Sequence, residues 1–246
     1  MKDILVIGES CLDIFVYCEA YRLCPDIPVP ALNIISQTVN DGMAKNVKNN
    51  IDSFIQCDLL TNPNWKEITK TRYMHDKSNH MFLRVDSPHN ISRINWNNID
   101  LDYKIIVVAD YNKGFLHEDD IKSLCNKHKN VFIDTKKNLG NWIENAKFIK
   151  INNHEFNNSL EYISSNNIKN KIIHTKGGEG CEYNNKIYPV NSLEIKDVSG
   201  AGDSFMAAMV VNYLKTENIE ESIIFANKCA SEVVKHRGVS IIKNEI

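Results

Sequence analysis

No stretch of the 246-residue sequence approaches the ~18 consecutive apolar residues that a membrane-spanning helix requires. The apolar start, Met1 to Gly8, is too short for a signal peptide, which gives the expectation of a soluble, cytoplasmic protein. An excess of one charge is also lacking. With 29 basic and 31 acidic side chains the formal charge is -2, so neither nucleic acid nor an anionic membrane surface is favoured as a partner. A small molecule is favoured instead. The seven cysteines are scattered and odd in number, without a CxxC pair, which points away from a disulfide framework or a zinc site and towards reduced thiols. The eight histidines include no HExxH pair, so none is assigned a catalytic or metal role. Only Gly8 follows the first apolar run, with no G-x-G-x-x-G, which argues against a dinucleotide-dependent oxidoreductase.

What is present is enough apolar residue, 43%, to bury one substantial core. Short β-branched runs recur at Ile4 to Ile7, Ile105 to Ala109, Val131 to Asp134, Phe148 to Ile151 and Ile172 to Thr175. Continuous apolar runs of this length, each closed by a polar residue or glycine, predict parallel strands covered on both faces. Helices are expected between them, over Glu118 to His128 with its acidic first turn and over Leu139 to Asn145. The result is an α/β doubly wound, mostly parallel sheet with ligands at the C-terminal strand ends. Two segments break this rhythm. Arg22 to Val39 carries Pro25, Pro28 and Pro30, which confine it to edge strand or open chain, and Ile68 to Val85 reads as extended. A small β lid over about residues 14–40 and 70–88 of a single domain, 1–246, is the economical arrangement. Such a lid excludes water from phosphoryl transfer, and its exposed strands favour a homodimer, although a static ribbon fits the pattern equally. The Asn-rich patches Asn62-Pro63-Asn64, Asn95 to Asn98 and Asn166-Asn167 read as surface loops.

The most specific feature is Asp197-Val198-Ser199-Gly200-Ala201-Gly202-Asp203-Ser204, a glycine-hinged turn that opens an apolar helix over Phe205 to Leu214. The first turn of a helix leaves backbone N–H groups unpaired, and glycines let a ligand approach them. That makes an anion hole beside a carboxylate, suited to removing a hydroxyl proton while a transferring phosphoryl group is held. On these eight residues alone, an Asp cap on an ordinary helix fits as well.

Three further motifs in order along the chain change that balance. Asn46 stands four residues after Gly42, Asn152-Asn153-His154-Glu155 follows a strand, and Thr175-Lys176-Gly177-Gly178-Glu179-Gly180 precedes the glycine turn. Together with Asp197 to Asp203, which reads D-x-x-G-A-G-D, these resemble the signatures of the PfkB, or ribokinase-like, carbohydrate kinases over nearly the whole chain. Within that family the resemblance is to the kinase domain of the bifunctional heptose enzymes, the D-glycero-D-manno-heptose-7-phosphate kinases. It is carried by Arg22-x-x-Pro25-x-x-Pro28-x-Pro30, Leu83-Arg84-Val85-Asp86, Asp110-Tyr111-Asn112-Lys113-Gly114 and Asp134-Thr135-Lys136.

The resemblance implies an ATP-dependent sugar or sugar-phosphate kinase. Asp203 would be the general base, with Gly200, Ala201 and Gly202 forming the anion hole. Asp13, Gly42, Asn46 and Asp110 would meet the sugar, and Arg84 and Lys113 an anionic group on it. Lys136, Asn152, Thr175, Gly177, Gly178, Gly180 and Asn227 would hold the nucleotide. Glu155 would act on Mg²⁺ through water, and Asp197 matches a position that binds a monovalent cation such as K⁺ in some relatives. Two departures stand out. Gly42-Met43 replaces the family's paired glycines, and the interval from Asn46 to Thr71 is some tens of residues short, with room for one helix over Asn49 to Lys70. The expected consequence is a shortened N-terminal section with a lost edge unit, and the alternative function is a catalytically silent sugar or nucleotide sensor of the same fold. With no H-x-G-H segment in the sequence, the nucleotidyltransferase activity of the bifunctional enzymes is not expected of it.

Overall fold

A computed structural model of the chain describes residues 1–78, 80–191 and 195–243. Asn79, within the expected lid segment 70–88, lies outside the described residues. β1 (Lys2–Gly8) has Ile4 and Val6 on one face and Leu5 and Ile7 on the other, all four buried, as a strand covered on both sides requires. The chain then leaves the main sheet for a long hairpin, β2 (Ser10–Leu23) and β3 (Pro30–Met43). Pro25 and Pro28 fall in its loop and Pro30 opens β3, an edge strand, so no proline interrupts a central ladder. Then come α1 (Ala44–Asp52), the short β4 (Asp58–Leu60), β5 (Thr69–His75) and β6 (Met81–Asp86). The remaining elements restore the α/β alternation: β7 (Tyr103–Asp110), α2 (Glu118–Lys127), β8 (Val131–Thr135), β9 (Phe148–Asn152), α3 (Asn153–Asn158), α4 (Leu160–Ser165) and β10 (Ile172–Thr175). After the β11 (Cys181–Tyr183) and β12 (Lys186–Tyr188) hairpin, α5 (Ala201–Thr216) and α6 (Ile219–Val233) complete the fold.

The main sheet has eight strands in the order β12-β11-β10-β9-β8-β7-β1-β4. From β10 to β4 every pairing is parallel, and the two pairings at the other edge, β10–β11 and β11–β12, are antiparallel. One face packs on α1, α5 and α6 and the other on α2 and the segments around Trp142 and Ile163. α5 is buried along Asp203 to Val211, so it serves as the core of one layer. The second sheet, in the order β3-β2-β5-β6, stands beyond the C-terminal ends of the main strands, because β1 runs almost directly into β2.

The five expected parallel strands and the helix after Glu118 are present. Leu139 to Asn145 is not a helix. It makes a single 3₁₀ turn over Asn141–Ile143 after an extended Gly140, because seven residues with a glycine and two asparagines cannot sustain propagation, while Trp142 and Ile143 find burial without it. The helix expected within Asn49 to Lys70 starts earlier, at Ala44, and the stretch after its C-terminus holds the edge strand β4. Asn62 is fully buried where a surface loop was expected, since its side-chain oxygen accepts the Ser10 N–H, 2.8 Å away, and ties the start of β2 to the segment after β4.

Gly8 lies opposite Ala109 in the parallel β1–β7 pairing, and a Cβ there would sit 1.9 Å from the Ala109 carbonyl oxygen. Gly8→Ala is expected to destabilise the protein by about 1–3 kcal/mol through forced strand separation, read as a lower urea midpoint with an unchanged slope. A wild-type midpoint would contradict this packing.

Candidate active site

Gly200 takes a left-handed backbone, φ 80°, and turns the chain into α5. The Ala201 N–H is bonded to the Val198 carbonyl and the Ser204 N–H to the Gly200 carbonyl. Among the described residues the N–H groups of Gly200, Gly202 and Asp203 have no such acceptor, and of the expected hole residues Gly200, Ala201 and Gly202 only Ala201 has its N–H engaged. Lys150, buried in the middle of β9, runs beneath this turn. A Cβ on Gly202 would meet its Nζ at 2.8 Å, so the ammonium group lies directly against the turn. Lys150 is paired at 2.7 Å with Asp134, also buried, at the end of β8.

Asp203, in the first turn of α5, is almost fully buried. Its Oδ2 accepts from Asn46 Nδ2 of α1 at 2.8 Å, and its Oδ1 accepts from the Tyr111 hydroxyl. Burial pushes its carboxyl up from the ordinary Asp value, the Tyr111 and Asn46 hydrogen bonds pull it down, and Asp134 raises it while Lys150 lowers it. The Tyr111 phenol is itself pushed well up by burial and by the neighbouring carboxylates, so it remains a donor.

A cleft of about 680 Å³ runs from Tyr111 and Asp203 past the free amides to the β10 end. Lys136, Asn152, Thr175, Gly177, Gly178, Gly180 and Asn227 all line it. Gly177 and Gly178 have nothing within 4 Å of a would-be Cβ and present open backbone, whereas a Cβ on Gly180 would strike the Tyr188 carbonyl oxygen at 2.1 Å, a packing requirement. Asn152 caps α3 and forms a capping box with Glu155. Glu155 is buried and bonded to Asn152 and to Lys136, while Lys136 also lies 3.8 Å from Asp134, whose Oδ1 is buried without a hydrogen-bond partner. Burial opposes the charge on Lys136, yet Asp134 and Glu155 hold its pKa above the ordinary lysine value. The cleft's far end is apolar, formed by Val190, Ile195, Val198, Ala230 and Val234, with Asn227 held by the Tyr188 carbonyl. Asp197 accepts the N–H groups of Ser199 at 2.8 Å and Gly238 at 3.0 Å, joining the glycine turn to the C-terminal segment.

On the other side of Asp203 lies the second sheet. Asp13 is within β2 and Gly42 faces it from β3. A Cβ at Gly42 would come 2.5 Å from Asp13 Oδ2, so glycine clears room for that carboxylate. Met43 next to it has φ 62°, a left-handed conformation costly for a methionine, at the entry to α1. The pairings Asp13–Lys70–Asp86 and Phe15–Arg72–Arg84 across β2, β5 and β6 set all six side chains on one face. Arg72 binds Asp13 at 2.5 Å and Arg84 binds Asp86 at 2.6 Å. Lys70 is buried with no ion-pair partner among the described residues, and its Nζ lies 5.1 Å from the Tyr111 ring centroid. Asp110, expected beside the sugar, is committed elsewhere: Thr135 and Lys137 bind its carboxylate and it is fully buried, so it braces the strand ends. The Lys113 backbone is fixed by Glu9, a buried carboxylate that accepts the N–H groups of Tyr111, Lys113 and Phe115 and shapes the loop after β7.

Sequence reasoning missed Tyr111, Lys150, Lys70 and Arg72 as site residues. A lysine inside an otherwise apolar strand, Phe148-Ile149-Lys150-Ile151, was a readable signal of a buried partner. Lys70 and Arg72 stand two apart in an extended run, which puts both on one face.

The family model described as pfkB family carbohydrate kinase matches residues 117–245. The bifunctional protein HldE of Helicobacter pylori strain J99 is 27% identical over an alignment of 303 positions that takes in all of this chain, and HldE of Helicobacter acinonychis is 26% identical over the same span. The chain spans 65% of the length of these two relatives. Among solved structures, ribokinase from Thermotoga maritima superposes with a TM-score of 0.73 at 16% identity, covering 97% of this chain and 95% of that one. Phosphofructokinase-2 from Escherichia coli, in complex with potassium, gives 0.73 at 13% identity, covering 99% and 96%. These structural likenesses establish the shared ribokinase-like fold.

The Lys150–Asp134 pair supplies a stability test. Lys150→Met leaves the buried Asp134 with only the more distant Lys136, 3.8 Å away, and is expected to cost about 3–5 kcal/mol, whereas replacing both Lys150 and Asp134 with apolar residues of similar size restores most of that loss in chemical denaturation. A Lys150→Met protein as stable as the wild type would refute the pairing.

Proposed function

The chain belongs to the pfkB family of carbohydrate kinases, and from that membership we propose that it transfers the γ-phosphate of ATP to a hydroxyl of a sugar phosphate, with heptose 7-phosphate and its anomeric hydroxyl as the first acceptor to test. The observation that carries this reading is the placement of a buried, doubly hydrogen-bonded Asp203 beside the free amides of the glycine turn, between the cleft and the cation-rich face of the second sheet. Asp203 accepts the proton of the attacking hydroxyl as its oxygen bonds to the γ-phosphorus and the bond to ADP breaks. The Gly202 and Asp203 amides and the Lys150 ammonium hold the charge of the transferring group. Gly177 and Gly178 receive the leaving phosphates on backbone N–H, Lys136 reaches them as a point charge, and the apolar end near Asn227 takes the base. Glu155, bonded to Lys136 and Asn152, would act on Mg²⁺ through water, an ion that keeps much of its hydration shell. Bound Mg²⁺ would neutralise phosphate charge. Asp197 is the candidate for organising a monovalent cation.

Three cations, Lys70, Arg72 and Arg84, share the inward face with only two carboxylates, Asp13 and Asp86, and Lys113 stands nearby. That surplus favours an anionic acceptor over a neutral sugar. The second sheet acts as a lid over the acceptor. Its outer face leaves Val39, Leu83 and Val85 about half exposed, 52%, 44% and 50%, which supports a homodimer through this sheet.

Asp203→Asn is expected to lower kcat by roughly 10²–10⁴-fold with ATP affinity retained in calorimetry. Wild-type turnover in that variant would remove Asp203 as the base. A panel of hexoses, heptoses, their phosphates and nucleosides, read by ADP release, is expected to select a phosphorylated sugar. Ligand-induced thermal stabilisation without turnover on every acceptor would instead support the silent sensor. For the dimer, Leu83→Lys is expected to convert a sedimenting dimer to monomer, and a wild type that sediments as a monomer would contradict the interface.

A further inference from the structure

Among the described residues two side chains hydrogen-bond the carboxylate of Asp203, Asn46 of α1 and Tyr111 of the loop after β7. The Tyr111 hydroxyl donates to Oδ1 while Asn46 donates to Oδ2, so each carboxylate oxygen has its own anchor. The ring sits between two ammonium groups, Lys70 Nζ of the second sheet at 5.1 Å and Lys136 Nζ beside the cleft at 5.9 Å, both at cation–π distance. The Tyr111 backbone N–H is fixed by the buried Glu9 at 2.9 Å. A residue held at ring, hydroxyl and backbone, and lining the cleft, has one orientation to offer.

We infer that Tyr111 is the positioning residue of the proposed base: its phenol fixes the Asp203 carboxylate in its working rotamer, and its ring stands within cation–π distance of Lys70 on the acceptor side and Lys136 on the nucleotide side. The inference rests on the reading of Asp203 as the base. A buried carboxylate is protonated over a wider pH range than an exposed one, and a protonated Asp203 cannot take a proton. Donors to the charged form oppose this. The groups facing Asp203 are the donors Tyr111 and Asn46, the cation Lys150 and the carboxylate Asp134. Loss of the Tyr111 hydroxyl leaves burial and Asp134 opposed by Asn46 and Lys150 alone. The acid limb of the rate profile then moves to higher pH.

The test is the pH dependence of kcat in the full-length protein for Tyr111→Phe and for 3-fluorotyrosine installed at position 111, a more acidic phenol of almost unchanged shape. Tyr111→Phe is expected to lower kcat roughly 10–100-fold at neutral pH, with KM for ATP little changed, and to shift the acid limb upward. Fluorotyrosine is expected to shift the limb the opposite way, which a packing role would not do, and it answers the question even if the phenylalanine variant fails to fold. A ¹³C-carboxyl NMR titration of Asp203 in the same proteins reads the coupling without turnover. If the wild type phosphorylates no acceptor but the titration moves in opposite directions in the two variants, the kinase reading fails and the Tyr111–Asp203 coupling stands. An acid limb and a titration unmoved in both variants overturn the inference.

Discussion

A carboxylate taken out of water at the first turn of a buried helix is costly unless donors meet it, and the architecture of this protein is organised around meeting that cost at Asp203. The donors come from distant parts of the chain. Asn46 belongs to α1, which comes after the β2–β3 hairpin, and Tyr111 to the loop after β7, which Glu9 at the end of β1 holds in shape. The site can therefore form only when β1, β7, α1 and α5 are all in register, and it serves as a check on the fold as well as a reaction centre.

The second constraint is electrostatic layering. Beneath the glycine turn lies the Lys150–Asp134 pair, beside it Lys136 and Glu155, and above it Lys70, Arg72 and Arg84 with Asp13 and Asp86. Positive groups thus stand on both sides of the base, where two phosphorylated ligands would meet, while the negative groups are mostly spent on pairing. Mutual repulsion of two anionic substrates is the main electrostatic obstacle to bringing them together, and a site that brackets the transfer point with cations lowers it. The strained Met43, at φ 62°, stands where the chain passes from the second sheet into α1, between the acceptor side and Asn46.

Much of this was legible in the residues. The parallel strands followed from apolar runs such as Val131 to Asp134, and the glycine turn from Gly200 and Gly202 ahead of an apolar helix. The cleft residues Asn152, Gly177 and Gly178 could be read from ordered motifs, and Asn227 from the family resemblance. The features that were not legible depend on tertiary register. Tyr111 is one polar aromatic in a loop until Glu9 fixes the loop, and Asp110 reads as a ligand until Thr135 and Lys137, one strand away, claim it. Asn62 reads as a turn until Ser10 uses it. The failed helix at Leu139 to Asn145 shows burial of Trp142 and Ile143 overriding a weak local preference.

The central claim is that Asp203 serves the passage of a phosphoryl group to a sugar phosphate. ³¹P NMR of the wild-type protein with ATP, Mg²⁺, K⁺ and heptose 7-phosphate tests it directly. The γ-phosphate signal is expected to be replaced, in step with ADP, by a new phosphate ester coupled to the anomeric proton, and Asp203→Asn is expected to give none. Both ligands bound with the ATP signals unchanged, or ADP appearing with inorganic phosphate alone, would contradict it.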